Sequence, residues 1–208
     1  AQLLNKIDTK NLILFPEASF HFDIYNDDNA YAYIQEQFSD INAIVGLSYK
    51  YSRHHETYIT MLATGDATGE YHKKYRVPFG ETIPGLDSIY PLLSILLGKN
   101  IPLIISSMHT PTATPISTTL NYKNTKFYPI LCYEVFFPPV STHVQAATQA
   151  NLISAENTWY ADSNLHQMMQ AAAKFHALQS LKPTILIMNR GPSTIFNKQG
   201  DILAQTKF

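Results

Sequence analysis

Apolar residues in this chain gather into five short runs, each closed by polar or punctuating residues. They are "NLILFPE" (11–17), "AIVGLSY" (43–49), "YPILCYE" (128–134), "NLISAEN" (151–157) and "TILIMNRG" (184–191). Runs that are continuous, not alternating, predict strands covered on both faces, as in layered α/β folds. Helical patterns lie between them, over 29–38 and, most clearly, over 163–181. The second places Leu165, Met168, Met169, Ala172 and Phe175 at three- and four-residue spacing and is closed by Lys182-Pro183. Residues 57–63 followed by "TGDATGEYHKKY" predict strand, turn and strand, with Gly65 and Gly69 in the turn. "TPTATPISTT" (110–119) predicts an exposed loop, and no internal repeat or domain-scale linker is present.

Composition narrows the class. A chain of 208 residues with 45% hydrophobic and 15% charged residues is expected to fold as one α/β domain. The formal net charge is −1 and no basic block occurs, which argues against a nucleic-acid partner. The opening "AQLLNKIDTK" has neither the apolar nor the basic region of a signal peptide. The longest apolar stretch, 86–106, is broken by Pro91, Lys99, Asn100 and Pro102 and falls short of a membrane span, so a soluble chain is expected. "HHE" (54–56) has no third ligand at useful spacing, so no metal site is expected.

The candidate chemistry sits at the ends of the runs. Glu17 ends the first, Cys132 and Glu134 the third, and Asn157 the fourth. Strand ends are where layered α/β proteins assemble sites. Cys132 is the single cysteine. A thiol is a poor nucleophile until a base takes its proton, and a carboxylate whose pKa is raised by burial can be that base. An acyl-transfer intermediate also requires donors for its oxyanion, such as an ammonium and a backbone N–H. Glu17 and the pair Lys73-Lys74 in "YHKKYRVPFGETIP" (71–84) are the candidates.

"FPE" after an apolar run, "YxKxxxVPFGE" and "CYExxF", in that order, resemble the nitrilase (carbon–nitrogen hydrolase) superfamily. The longer "YHKKYRVPFGETIP" and the region 157–202 resemble its apolipoprotein N-acyltransferase branch. The resemblance implies an α-β-β-α sandwich, one domain over 1–208. It implies Glu17 as general base, Lys73 (not Lys74) as oxyanion donor and Cys132 as nucleophile, with no cofactor. It assigns supporting roles to Glu81, Tyr133 and Glu134, the Tyr133 N–H completing the oxyanion hole. Asn157 and Trp159 are candidate substrate-binding residues. The helical pattern 86–103, apolar nearly all round, makes Leu92 and Leu96 candidate lipid contacts.

The implied reaction carries an acyl group from a phospholipid through a thioester to a lipoprotein amine. The expected partners are then donor, acceptor and a membrane surface, at the periplasmic side of a bacterial inner membrane. Nothing in the sequence sets an oligomeric state. The family domain normally carries a strand and helix ahead of "FPE" and continues beyond Phe208, so a domain incomplete at both ends is expected. The family's transmembrane bundle has no counterpart, and His176 and Gln179 stand where the family helix usually has Arg and Glu. Two other readings stay open: a soluble, cytoplasmic amidase or nitrilase, and a catalytically silent interaction module.

Overall fold

The computed structural model describes residues 11–20, 30–51, 56–75, 77–78, 81, 119–139, 142–160 and 163–207. Two sheets form its centre. The first has the order β1-β2-β3-β4, from β1 (Ile13–Leu14), β2 (Ala43–Tyr51), β3 (Glu56–Thr64) and β4 (Glu70–His72). β1 runs parallel to β2, and the remaining pairs are antiparallel. The second sheet has the order β10-β9-β8-β7-β6-β5. Its strands are β5 (Leu120–Tyr122), β6 (Thr125–Leu131), β7 (Ala150–Ala155), β8 (Thr184–Met188), β9 (Thr194–Phe196) and β10 (Ile202–Gln205). β6, β7 and β8 are mutually parallel.

The continuous apolar runs follow from burial on two faces. Ile44, Met61 and Ala63 of the first sheet meet Leu120, Phe127, Leu131 and Leu152 of the second in one core. The outer face of the first sheet, with Ala43, Val45, Leu47 and Leu62, is covered by Ile34 and Phe38, from and just after α1 (Ala30–Gln37). The outer face of the second, with Tyr128, Ile130, Ile153 and Leu186, packs on Met169, Ala173 and Ala177 of α3 (Leu165–Ser180). A short helix, α2 (Thr142–Ala146), precedes β7. The architecture is thus the expected α-β-β-α sandwich. Among the described residues no helix is long and apolar enough to cross a membrane.

Some expectations change. The first run contributes only Ile13 and Leu14 as strand. The third stops being strand at Leu131, and Cys132–Phe136 form a 3-10 helix, so Glu134 lies in a helical turn and not at a strand end. On α3, Met168 and Phe175 are 57% and 61% exposed, whereas Met169, Ala173, His176 and Ala177 are buried. The alanines let the helix sit close to the sheet, and His176 gains a buried acceptor, the Val135 carbonyl, at 2.9 Å. Apolar residues occupy more than one side of this helix, so spacing alone could not choose the buried stripe. The turn expected after β3 is present, with Gly65 and Gly69 at φ of 66° and 114°. The expected helix at 86–103, with Leu92 and Leu96, most of the loop at 110–119, and the His54-His55 pair lie outside the described residues.

α3 ends at Leu181, which takes the left-handed conformation (φ 54°) before Pro183. Lys182 then reaches back to α2. Its ammonium donates to the carbonyls of Gln145, Ala146 (3.0 Å) and Thr148 (2.5 Å), which close that helix and lead into β7. Lys182→Met removes a charged donor shared by three carbonyls and is expected to cost about 1–2 kcal/mol, because water replaces part of the loss. Urea denaturation checks this; an unchanged midpoint would show that the lysine contributes nothing to the joint.

Candidate active site

Glu17, Lys73 and Cys132 come from three separate parts of the chain and meet at one end of the sandwich. Glu17 follows β1, Lys73 follows β4 and Cys132 follows β6. All three are buried, at 4%, 2% and 8% exposure. The Lys73 ammonium donates to Glu17 Oε1 at 3.0 Å and to Glu81 Oε1 at 2.6 Å. Its third N–H is not used by either bond. Glu81 in turn accepts from the Val77 N–H at 2.9 Å, so the carboxylate also closes the turn that carries it.

Glu17 is held from the opposite sheet as well. Its Oε2 accepts from the Glu156 N–H at 3.2 Å, just beyond β7. Ser154 Oγ donates to the Phe15 carbonyl at 3.4 Å. A glycine, Gly46, makes room for this crossing. A Cβ there would lie 2.5 Å from Glu17 Cα and from the Pro16 carbonyl, so only a residue without a side chain lets β2 pass so close.

Cys132 opens the 3-10 turn with φ of 46°, in the left-handed region that non-glycine residues rarely adopt. Such strain persists only where the surroundings enforce it. Here the enforcing group is Glu134. Its carboxylate accepts from the Leu131 N–H (2.8 Å), the Lys74 N–H (2.5 Å), the Tyr75 N–H (3.0 Å) and the Tyr71 hydroxyl (2.9 and 3.0 Å). One buried side chain therefore ties the residue before the cysteine to the residues after the lysine. Tyr75 stacks on Phe137 at 4.7 Å and Tyr133 packs edge-on to Phe137 at 5.0 Å, which closes the same joint with aromatic contact.

The electrostatics follow from burial and pairing. Burial raises the Glu17 carboxyl above its usual range, opposed by Lys73 and reinforced by Glu81. Burial opposes the charge on Lys73, but Glu17, Cys132 and Glu81 more than offset it, so the lysine stays protonated. Burial, with the Glu17 charge, pushes the Cys132 thiol well up; Lys73 acts in the other direction. The resting arrangement is a protonated thiol beside a buried carboxylate and a fixed ammonium. The thiol also lies 3.9 Å from the Glu156 carbonyl. Burial raises Glu134 too, while its N–H and hydroxyl donors favour its charged form.

The remaining sequence candidates separate. Lys74 is half-buried in the loop after β4 and faces Glu134 through its backbone only. Asn157 is 2% exposed and not at the surface. Its amide donates to Met188 Sδ (3.1 Å) and the Arg190 carbonyl (3.3 Å), which clamps the end of β7 to the end of β8. Trp159 belongs to the 3-10 turn Thr158–Tyr160 beyond β7. Among the described residues no group of three or more His, Cys, Asp or Glu is placed to hold a metal. Sequence reasoning missed Gly46, Tyr71, Glu156 and Asn189. Only Tyr71 carried a signal, as the tyrosine of "YxK".

Two outcomes follow from these contacts. Gly46→Ala is expected to displace the Glu17 backbone, costing about 1–3 kcal/mol as overpacking, and to change the iodoacetamide alkylation rate of Cys132. A wild-type melting temperature together with a wild-type alkylation rate would refute the close approach. His72, beside Lys73, bonds Thr60 at 2.7 Å and is held at a pKa of about 4 by burial and by Lys74, below the usual histidine value of 6.5. Its neutral form is the folded one, so the unfolded chain binds the proton more readily and stability falls as pH drops from 6.5 toward 4. Between neutral pH and the acid end of that window the wild type is expected to lose on the order of 2–3 kcal/mol more than His72→Gln. Parallel acid titrations of urea midpoints give the comparison, and coincident curves would show that His72 is not the titrating group.

No family model matches the sequence. The apolipoprotein N-acyltransferase of Haemophilus influenzae is 32% identical over 136 residues, covering 65% of this chain and 25% of that protein. That of Agrobacterium fabrum is 23% identical over 210 residues, covering 93% of this chain and 37% of the relative. The chain thus spans about a quarter to somewhat over a third of the length of these curated relatives. Among solved structures, a CN-hydrolase superfamily protein of Xanthomonas campestris superposes with a TM-score of 0.62 at 14% identity, covering 99% of this chain and 77% of that one. A buried Glu–Lys–Cys constellation on an α-β-β-α sandwich and these likenesses agree: the chain has the carbon–nitrogen hydrolase fold and, in sequence, is similar to the apolipoprotein N-acyltransferases.

Proposed function

We propose that this chain is the catalytic domain of a cysteine-dependent acyltransferase that moves an acyl group from a phospholipid ester to the amine of a lipoprotein. The observation that carries the reading is the buried Lys73 ammonium bonded to both Glu17 and Glu81 beside the strained Cys132. A lysine buried to 2% exposure and held in one place by two carboxylates is a fixed positive charge with a donor to spare. The sequence likeness to apolipoprotein N-acyltransferases supports the choice of donor and acceptor.

In the first half-reaction Glu17 takes the proton from Cys132 Sγ as the sulfur attacks the ester carbonyl carbon. The oxyanion is met by the third N–H of Lys73 and by the Tyr133 N–H, which lies in the opening turn of the 3-10 helix, where amides have no acceptor within the helix. Collapse breaks the ester C–O bond, and the leaving alkoxide takes the proton back from Glu17. The products are a lysophospholipid and a thioester on Cys132.

The second half reverses the roles. A neutral amine attacks the thioester carbon, Glu17 accepts one amine proton, the C–S bond breaks, and the thiolate recovers that proton. Glu17 serves both halves because burial raises its carboxyl toward the range where it can take and return a proton. Glu134 and Tyr71 touch neither substrate nor reacting atom in this scheme. They hold the cysteine turn and the lysine loop in register.

The test is direct, because Cys132 is the single thiol. Incubation with phospholipid in detergent, or with an activated fatty-acyl ester, is expected to add one acyl mass that hydroxylamine removes and that Cys132→Ala abolishes. Amide substrates labelling the protein in place of esters would favour a hydrolase; no adduct with either class would sink the enzyme reading. Lys73→Ala is expected to lower turnover by about 10²–10³-fold, whereas Lys74→Ala changes it little. A melting curve on each variant separates chemistry from folding, since removing Lys73 leaves buried Glu17 without its cation. Equal losses at the two lysines would place the oxyanion donor wrongly.

A further inference from the structure

We infer that Glu156 docks the acceptor amine in its cationic form, as the residue that makes this site select ammonium-bearing acceptors. The inference rests on the acyl-enzyme reading above and adds to it the charge of the second substrate. Its first support is position. The Glu156 N–H donates to Glu17 at 3.2 Å and its carbonyl lies 3.9 Å from Cys132 Sγ, so the main chain of this residue lines the reacting centre. Its side chain is half-buried, which leaves part of it open to a ligand.

The second support is rigidity. The Thr158 N–H donates to Glu156 Oε1 at 2.6 Å, and Asn189 Nδ2 donates to Oε2. Asn189 is itself fixed, bonding Thr158 Oγ1 at 3.0 Å and accepting from the Asn157 N–H at 2.9 Å. Each carboxylate oxygen has further lone pairs beyond these bonds. A carboxylate already ordered loses little freedom when it takes a cation, which removes the cost that weakens ordinary surface pairs.

The third support is charge. Among the described residues the ion pairs join Lys73 to Glu17 and Glu81, the neutral His72 ring lies 3.4 Å from Glu70, and none of these contacts reaches Glu156. The two carboxylates bonded to Lys73 are neutralised in part by it. Glu134 is buried and its oxygens are taken by four groups. Among the described residues Glu156 is therefore a partly accessible carboxylate at the site that forms no ion pair. A primary ammonium supplies the charge and the donors such a group takes. The docked ammonium gives one proton to solvent before it becomes the neutral nucleophile of the second half-reaction.

The bland account of these contacts is that Glu156 only caps the turn at Thr158. The two are separated by comparing nucleophiles of similar size. Cys132 is loaded from an activated fatty-acyl ester, and deacylation is followed with ethanolamine, a cation at neutral pH, and with hydroxylamine, which is uncharged there. Glu156→Gln is expected to raise the KM for ethanolamine about tenfold relative to that for hydroxylamine, while Glu156→Asp keeps the ratio near wild type. In the wild type, added salt is expected to weaken ethanolamine saturation and to leave hydroxylamine unaffected. That comparison stands even if the variants fold poorly. A KM ratio that is the same in wild type and Glu156→Gln, with no salt difference, overturns the inference and leaves the acyl-enzyme intact. Failure of the wild type to form a thioester overturns both.

Discussion

The site depends on one buried ammonium. Taking Lys73 out of water costs several kcal/mol, and only close carboxylates offset that. Glu17 and Glu81 do so at 3.0 and 2.6 Å, and the requirement runs both ways, since neither carboxylate group could sit so near the apolar core unpaired. The bridge joins the end of β1 to the end of β4 and to the turn at Glu81. The same charge opposes the rise that burial imposes on the Glu17 carboxyl and on the Cys132 thiol.

A second buried carboxylate plays a different part. Glu134 bonds backbone N–H groups and a tyrosine hydroxyl, not a cation, and so works as a geometric clamp. It spans the two sheets, from the β4 end to the β6 end. Four donors converge on it, which stabilises its charge in the way a helix end stabilises an anion. The left-handed conformation of Cys132 is affordable in that setting, because Leu131 and the start of the 3-10 turn are already anchored.

The fold supplies these constraints through its layering. Parallel alignment of β6, β7 and β8 brings Cys132, Glu156 and Asn189 to one end of one sheet. β1 and β4 of the other sheet deliver Glu17 and Lys73 to the same end, and Gly46 lets the sheets' loops meet. Carboxylates with different surroundings then take different roles. Glu17 is raised by burial, Glu81 and Glu134 hold neighbours in place, and Glu156 stays partly open to solvent.

Much of this was legible in the residues themselves. The five apolar runs marked the strands because burial on both faces removes the alternation that a half-exposed strand would show. "FPE", "YxK" and "CYE" pointed to Glu17, Lys73 and Cys132 through their resemblance to a family, and the structure brings the three residues together at one end of the sandwich. The buried side of α3 was not legible, since Met168 and Phe175 are as apolar as the residues that pack. Glu156 was hidden beside Asn157, because neighbouring residues at a strand end point in different directions and only the strand pairing decides which faces the site. Gly46 was hidden for a related reason. The need for a missing side chain arises from the approach of Pro16 and Glu17, a contact between separate segments that local pattern does not encode. The sequence by itself determined the layers and the candidate groups, which depend on residue type and local periodicity; the tertiary structure alone decided which carboxylate pairs, which clamps and which stays partly open, because those arrangements are set by distances between segments far apart in the chain.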